Sequence, residues 1–193
     1  MVDRTQANST EIHNLEWLNL LSADEATDEL LQCCGSRRWA RQMADARPFS
    51  DLEELREKAA DIWRSLDSHD WLEAFRSHPK IGENKPTTSE ENKDQLHSGA
   101  RKWSEQEQAG VRNAKEETMD YLAQLNRKYE AKFGYIFIVC ATGKSSEEML
   151  TILCQRLEND ETKELPLAAA EQAQITDLRL KKLLGMQDRI LPG

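Results

Sequence analysis

The 193-residue chain is long enough for one well-buried core, so a single domain over residues 1–193 is the default expectation. Its 38% hydrophobic and 32% charged residues, with few glycines and prolines, are typical of a helical protein, and no apolar run approaches membrane-spanning length. A net charge of −9 argues against a nucleic-acid partner, because phosphate binding needs a basic face.

The cysteines and the two ends of the chain bear on its compartment. The four cysteines, at positions 33, 34, 140 and 154, match neither a zinc site nor a redox Cys-x-x-Cys pair, so we expect reduced thiols. The first residues lack a secretory signal pattern, and the last four residues lack a Ser-Lys-Leu peroxisomal address. We therefore expect a cytoplasmic protein.

Capping signals predict the helices of the first third of the chain. Residues 1–10 are polar and are expected to be disordered, and a short apolar helix is predicted over 15–21. Ser22 opens a capping box for a second helix that reaches Cys34, and Gly35 supplies its left-handed end. The third helix is predicted over 36–46, with Trp39 and Met43 on one face. The fourth follows a capping box over 50–53 and has apolar residues at 52, 55, 59, 62 and 66.

The middle of the chain holds one short helix and one long polar segment. Asp70 is predicted to cap a helix that leads to His78. Residues 83–102 are polar, and a loop of this length is functional or disordered by default. Ser104 and Glu107 then form a capping box for a long helix towards residue 133.

The last third contains the only β-like run, residues 135–140. Because a lone strand has nothing to pair with, we predict a buried extended segment instead of a sheet. Ser145 caps a helix that follows, and a final helix runs to about Leu184. Its predicted inward residues are Leu165, Ala168, Ile175 and Leu178. The sequence thus predicts an all-α, compact helical bundle of about eight helices with one buried extended segment.

His78 and Pro79 stand where a helix gives way to the polar segment. Proline disfavours helical geometry in the preceding residue, so the imidazole is expected at a helix end, where unpaired carbonyls favour its cationic form. A histidine that titrates near neutrality serves as an acid or a base. Taken alone, however, this pair is better explained as a surface helix cap.

The other candidates also have structural explanations. Ser104 and Glu107 are explained by helix capping alone, and Gln108 by an exposed helix position. Arg156 is equally consistent with an edge residue or a surface ion-pair partner. Spacing by itself brings none of these residues together.

Four motifs in order give the chain a specific resemblance. They are His78–Glu83, Ser104–Gly110, Lys132–Ile138 and Arg156–Asn159. With them the sequence resembles the 2-oxo-4-hydroxy-4-carboxy-5-ureidoimidazoline (OHCU) decarboxylase family, which completes the route from urate to (S)-allantoin. Further likeness lies in Cys33–Ser36, Trp39, Arg47–Phe49, Asp70–Leu72 and Ile175–Leu180. The resemblance covers roughly residues 15–184, which we take as the core of the domain.

The resemblance implies an all-helical homodimer that acts on a small ureidoimidazoline without a cofactor or metal. It places the catalytic groups at His78, Glu107 and Arg156. The implied substrate-binding residues are Pro79, Ser104, Gln108, Phe137 and Ile138.

These residue types suit a decarboxylation. The planar fork of Arg156 is expected to grip a carboxylate or ring oxygen, and His78 to act as general acid or base. Glu107, at a helix start, is expected to be ionised and to accept N–H bonds from the substrate.

Two other functions remain open at this point. A non-catalytic helical interaction module could keep the same fold, although such a module would not require the set of histidine, glutamate, glutamine and arginine. A metal-dependent amidohydrolase is less consistent with the sequence, because the four histidines lack the spacing of metal ligands.

Overall fold

The computed structural model describes residues 13–80 and 116–185. All regular elements within these residues are helices, so the all-α prediction is confirmed. The helices are α1 (13–20), α2 (Ala23–Cys34), α3 (Arg37–Asp45), α4 (Leu52–Ser65), α5 (Ser68–Arg76), α6 (Glu116–Phe133), α7 (Ser146–Leu157) and α8 (Glu161–Leu183). The polar residues 1–10 and 83–102 lie outside the described residues.

The chain divides into two compact units, and each is described by itself. The first unit holds Met1–Asp67 and Ala173–Gly193, and the second holds Ser68–Gln172. Helix α8 contributes to both units. The expectation of a single domain therefore stays a prediction.

The helix ends of the first unit follow the local chemistry of the sequence. Ser22 and Glu25 form the predicted capping box of α2, and Gly35 ends that helix with φ of 86°. The box predicted over 50–53 is wrong by one residue. Asp51 caps α4, and the carboxylate of Glu54 accepts the backbone N–H of Ser50 at 2.7 Å. A carboxylate at this place also satisfies the positive end of the helix dipole.

The core of the first unit is built around Trp39, which has no exposed surface. Its indole N–H donates to the carbonyl of Ala59 at 3.0 Å, so the ring is anchored as well as packed. Helix α3 packs on both α2 and α4. Arg47 donates from Nη1 to the carbonyls of Leu18 and Leu21, and thereby satisfies the open end of α1. The larger buried side chains here include Leu18, Leu30, Met43, Phe49, Leu55 and Trp63.

The buried face of α8 agrees with the prediction at two of four positions. Ala168 and Ile175 are buried as predicted, whereas Leu165 and Leu178 are only half-buried. The neighbouring Glu164 and Arg179 are buried in place of these two leucines, and Gln172 is buried as well. Polar side chains therefore occupy inward positions that the hydrophobic pattern does not predict.

Asp177 forms ion pairs in the first unit, and their contribution to the stability of the fold depends on pH. It accepts hydrogen bonds from Arg56 and Lys181, with the Lys181 Nζ 3.0 Å from Oδ2. Burial opposes ionisation of Asp177, but these hydrogen bonds outweigh it and hold its pKa below the ordinary value. A carboxyl with a lowered pKa in the folded state stabilises the fold above its unfolded pKa of about 4, and this contribution is lost as pH falls through the folded pKa.

We predict that Asp177→Asn lowers the free energy of unfolding at pH 7 by roughly 0.5–1 kcal/mol, because partly exposed ion pairs contribute about this much. As the pH falls to about 2, the wild-type carboxyl takes up a proton first in the unfolded and then in the folded state, so the difference between the two proteins should shrink. Urea denaturation at the two pH values measures both. An equal loss at the two pH values would contradict the assignment.

Helices α5, α6 and α7 belong to the second unit, together with the first part of α8. Helix α5 begins at Ser68, two residues before the predicted cap, so Asp70 lies in its first turn and is buried. Ser145 and Glu148 form the predicted capping box of α7. The hydrophobic cluster of this unit comprises Leu122, Leu125, Tyr129, Phe133, Phe137, Val139, Ala141, Met149 and Leu153.

Residues 136–141, called the extended segment below, are buried and belong to no helix or strand, one residue later than the predicted 135–140. No strand pairs with them in the described residues. Side chains take the place of a neighbouring strand. Asn126 Oδ1 accepts from the N–H of Phe137 at 3.1 Å, and Arg156 Nη1 donates to the carbonyl of Ile138 at 2.6 Å. The Glu171 carboxylate accepts from the N–H of Cys140 at 2.7 Å, and Lys144 Nζ donates to the carbonyl of Cys140 at 2.6 Å. Buried backbone thus obtains hydrogen bonds without a sheet.

Gly134 connects α6 to this segment. Its φ of 78° is left-handed, and its N–H donates to the carbonyl of Glu130 at 2.8 Å, so it ends α6 as predicted. A Cβ placed there would meet no atom within 4 Å, so only backbone conformation disfavours a side chain.

We predict that Gly134→Ala lowers the free energy of unfolding by about 1 kcal/mol, the cost of a left-handed conformation for an L-residue. Gly134→Asn is the matched control and should cost less, because asparagine tolerates this conformation. Chemical denaturation of the three proteins makes the comparison. A neutral alanine variant would mean that the turn relaxes.

Two expectations about the whole chain also meet the structure. The four cysteines are free thiols, and only Cys154 is exposed. No described helix combines the length and apolar character needed to cross a membrane.

Candidate active site

Arg156, near the end of α7, is the centre of a buried polar network in the second unit. Its Nε donates to Glu164 Oε1 at 2.6 Å, its Nη1 to the carbonyl of Ile138 at 2.6 Å and its Nη2 to the hydroxyl of Tyr129 at 3.3 Å. The guanidinium carbon also lies 4.9 Å from the ring centroid of Phe137, in a cation–π contact. Nη2 also lies 2.6 Å from Glu164 Oε1, so all three guanidinium nitrogens are in contact with protein acceptors.

Glu164 supplies the charge that makes this arrangement possible. Its side chain has no exposed surface, and that of Arg156 is 9% exposed. Oε1 accepts from Arg156 and from the hydroxyl of Tyr129, and Oε2 accepts from Asn159 Nδ2 at 2.7 Å. A buried carboxylate is tolerated when a counter-charge and further donors satisfy it, as they do here.

Two tyrosines form the aromatic side of the network. Burial raises the pKa of Tyr129 well above its ordinary value, against the opposing effect of the Arg156 charge. Burial also raises the pKa of Tyr135. Both phenols are therefore protonated at neutral pH, and Tyr129 is kept in the form that donates to Glu164. The ring centroids of the two tyrosines are 5.8 Å apart, edge to face.

His78 lies two residues after the end of α5, as the proline that follows it predicted. The backbone N–H of His78 donates to the carbonyl of Phe75 at 3.2 Å, which continues the last turn of the helix. The imidazole is half-buried with its Nε2 atom shielded from solvent, whereas Pro79 is exposed. Lys80 Nζ is 2.8 Å from Glu130 Oε2, which ties this stretch to α6.

A series of ring contacts connects the two ends of the candidate site within the second unit. Phe75, three residues before His78, has its ring centroid 5.3 Å from that of Tyr135. Tyr135 in turn packs against Tyr129, whose ring lies 5.9 Å from the guanidinium carbon of Arg156. The end of α5, just before His78, and the guanidinium of Arg156 thus both contact one aromatic cluster.

The structure brings together part of the residue set that the sequence singled out. Arg156, Phe137 and Ile138 are in direct contact. His78 and Pro79 lie at the other end of the same unit. The remaining candidates, Ser104, Glu107 and Gln108, lie outside the described residues, so their roles stay predictions.

The prediction from sequence missed Glu164 and Tyr129, which bind Arg156, and Asn126, which binds the N–H of Phe137. One signal was available for Glu164. It falls at an inward position of α8, where it recurs with Ala168 at helical spacing, and a charged residue in a buried row calls for a partner of opposite charge.

We predict that Glu164→Ala lowers the free energy of unfolding by about 3–5 kcal/mol, because it leaves the charge of Arg156 buried and uncompensated. Asp61→Ala provides the control. It removes the Arg64–Asp61 pair, whose side chains are 72% and 63% exposed, and should cost no more than about 1 kcal/mol. Equal losses in urea denaturation would mean that the Arg156–Glu164 pair is not sequestered from water.

Comparisons with known proteins agree with the geometry. The sequence model of the OHCU decarboxylase family matches residues 19–181 of this chain. The uric acid degradation bifunctional protein TTL of Arabidopsis thaliana is 39% identical over 166 residues, which cover 85% of this chain and 49% of that protein. The 2-oxo-4-hydroxy-4-carboxy-5-ureidoimidazoline decarboxylase of Xenopus laevis is 28% identical over 74% of each chain. The chain thus spans about half the length of the plant relative and about a third of the bifunctional protein PucL of Bacillus subtilis.

Solved structures show the same similarity in three dimensions. A crystal structure of OHCU decarboxylase in the presence of (S)-allantoin is 38% identical, with a TM-score of 0.68, and the match covers 82% of this chain and 98% of that one. A structure of (S)-allantoin synthase has a TM-score of 0.62 at 14% identity, which supports the fold alone.

Proposed function

We propose a function for this chain from the premise that it belongs to the OHCU decarboxylase family. The proposed reaction is the cofactor-independent decarboxylation of 2-oxo-4-hydroxy-4-carboxy-5-ureidoimidazoline to (S)-allantoin, a step of urate degradation. The observation that carries the proposal is the match to a solved OHCU decarboxylase over nearly the whole of that chain. A homodimer, which the resemblance implies, is part of the same proposal.

The substrate supplies its own electron sink. Its carboxylate is bonded to a ring carbon that neighbours a carbon–nitrogen double bond. When CO2 leaves, the electron pair of the broken carbon–carbon bond forms a double bond in the ring, and the nitrogen takes up the displaced pair and a proton. The carbon that lost CO2 carries the 4-hydroxyl group, so the intermediate is an enol. It returns to the carbonyl form when the hydroxyl gives up its proton and the planar neighbouring carbon takes one. What the protein must add is orientation, a suitable electrostatic environment and proton transfer.

His78 is proposed as the general acid or base of this reaction. Its position after α5, with Pro79 behind it, limits the directions in which the imidazole can point. Glu107 is proposed to accept N–H bonds of the substrate, with Ser104 and Gln108 adding polar contacts. A histidine and a carboxylate together can move the protons that the two steps require.

Phe137 and Ile138 are proposed to form the wall of the site with their backbone. The N–H of Phe137 is bound by Asn126 and the carbonyl of Ile138 by Arg156. The carbonyl of Phe137 and the N–H of Ile138 have no partner among the described residues. These two groups are therefore the ones proposed to face the substrate.

Arg156 is the last residue of the proposed set. From the sequence we expected its whole guanidinium group to bind the substrate, but most of that group is bound by the protein itself. Nε and Nη2 both contact Glu164 Oε1, Nη2 also donates to Tyr129, and one N–H of Nη1 donates to Ile138. The second N–H of Nη1 has no partner in the described part of the chain, and this group is proposed to contact a substrate oxygen. An arginine already held by the protein loses little freedom when it binds, which favours a substrate that arrives in one orientation.

The test is to follow (S)-allantoin formation from freshly generated OHCU by circular dichroism, since the substrate also decays spontaneously. We expect the chain to accelerate the reaction in the presence of a chelator. His78→Ala should retain the helical spectrum and lose on the order of 10²–10⁴-fold in kcat, the usual contribution of a general acid or base.

His69→Ala is a matched control, because it removes the other histidine of the same helix region and should keep full activity. A folded His78→Ala protein with wild-type turnover would refute the proposed role of His78. An inactive wild-type chain would favour the alternative of a helical interaction module.

A further inference from the structure

We infer that Glu164 is a positioning residue for the proposed reaction. Through its pair with Arg156 it fixes the carbonyl of Ile138, and so sets the shape of the extended segment that forms a wall of the site. This inference rests on the proposed function for its catalytic consequence, but its structural part is independent of that function. Glu164 itself is fully enclosed by protein and has no access to a substrate.

The need for such a residue follows from the extended segment. A strand in a sheet is held by a continuous row of hydrogen bonds from its neighbour, whereas residues 136–141 are held at separate points by side chains. Ile138 is the central point, and its carbonyl is bound by Arg156 Nη1 at 2.6 Å. Any freedom of the guanidinium is therefore transmitted to the backbone of Ile138.

Arg156 by itself would not keep this position. An arginine side chain has many rotamers and loses about 2 kcal/mol of rotamer freedom when it is ordered. Glu164 removes this freedom by binding Nε, and Tyr129 binds both Glu164 and Nη2. Since Asn159 occupies the second oxygen of Glu164, the carboxylate is itself locked at both ends.

The same enclosure separates this role from direct catalysis. All three partners of the Glu164 carboxylate are protein side chains, so it acts on the reaction only through them. Arg156 is the partner that binds the carbonyl of Ile138 in the wall of the site. A misplacement of about 1 Å in a group that orients a substrate can cost on the order of 10²-fold in rate. Loosening the segment is therefore expected to reduce turnover even though no substrate contact is removed.

The experiment compares Glu164→Gln with Glu161→Gln in the full chain. The control lies three residues earlier on α8, carries the same change of charge and is exposed. Amide hydrogen exchange is measured over residues 136–141, and kcat and KM are measured per folded molecule. We expect Glu164→Gln to accelerate exchange in this segment by at least about tenfold and to lower kcat by about 10- to 100-fold, with KM changing less.

Tyr129→Phe is a second, milder variant in case Glu164→Gln fails to fold. It removes one hydrogen bond from Glu164 and one from Arg156 but keeps the ion pair, so smaller changes in the same directions are expected. Unchanged exchange over 136–141 in the folded variant would overturn the inference. Faster exchange with wild-type kcat would also overturn it, since Glu164 would then be structural only.

The two proposals fail in different ways. A wild-type chain that does not decarboxylate OHCU refutes the proposed function and, with it, the catalytic consequence of Glu164. Hydrogen exchange still decides, without any activity, whether Glu164 holds the extended segment.

Discussion

The constraint on which the second unit depends is the burial of an extended backbone that has no strand beside it. Residues 136–141 are enclosed by protein, and each buried N–H or carbonyl without a partner costs free energy comparable to a lost hydrogen bond. Side chains from α6, α7, α8 and the turn after the segment supply these bonds. The helices are therefore selected both for their apolar faces and for the polar groups that they aim at one short segment.

Because a guanidinium supplies one of these hydrogen bonds, a positive charge is buried in the second unit. A guanidinium reaches the carbonyl of Ile138 only from inside the unit, and a buried cation needs a counter-charge. Glu164 provides it, and Tyr129 and Asn159 satisfy the remaining capacity of its carboxylate. Such a pair is a poor source of net stability, because desolvation offsets much of the attraction. The pair instead fixes the orientation of the guanidinium, since a carboxylate and a guanidinium form hydrogen bonds in few geometries.

This arrangement suits a reaction in which the substrate holds the electron sink. A protein that supplies orientation and proton transfer needs walls that do not move, and a segment held at defined points by helix side chains offers such a wall. Membership of the OHCU decarboxylase family is what connects this chain to a reaction of this kind. The chain also has longer relatives, of which it spans about half or less.

The sequence by itself determined the helices, their ends and the family. Capping boxes at Ser22 and Ser145, the left-handed Gly35 and the extended run after Gly134 are local signals, because each depends on residues within one turn. The caps predicted at Ser50 and Asp70 are wrong by one or two residues, because neighbouring polar side chains compete for the same N–H groups. The order of the four motifs along the sequence was enough to indicate the family, without knowledge of any contact between residues.

Only the tertiary structure decided what the polar side chains do. Arg156 reads equally well as a surface residue, a substrate ligand or a buried ion, and the choice depends on Glu164, eight residues away on the next helix, and on Ile138 in the segment before α7. The prediction of the inward residues of α8 from hydrophobicity is right for Ala168 and Ile175 but misses the buried polar residues Glu164, Gln172 and Arg179, because hydrophobic periodicity counts only apolar side chains. A buried charge is stabilised by partners distant in sequence, and such partners are visible only once the chain has folded.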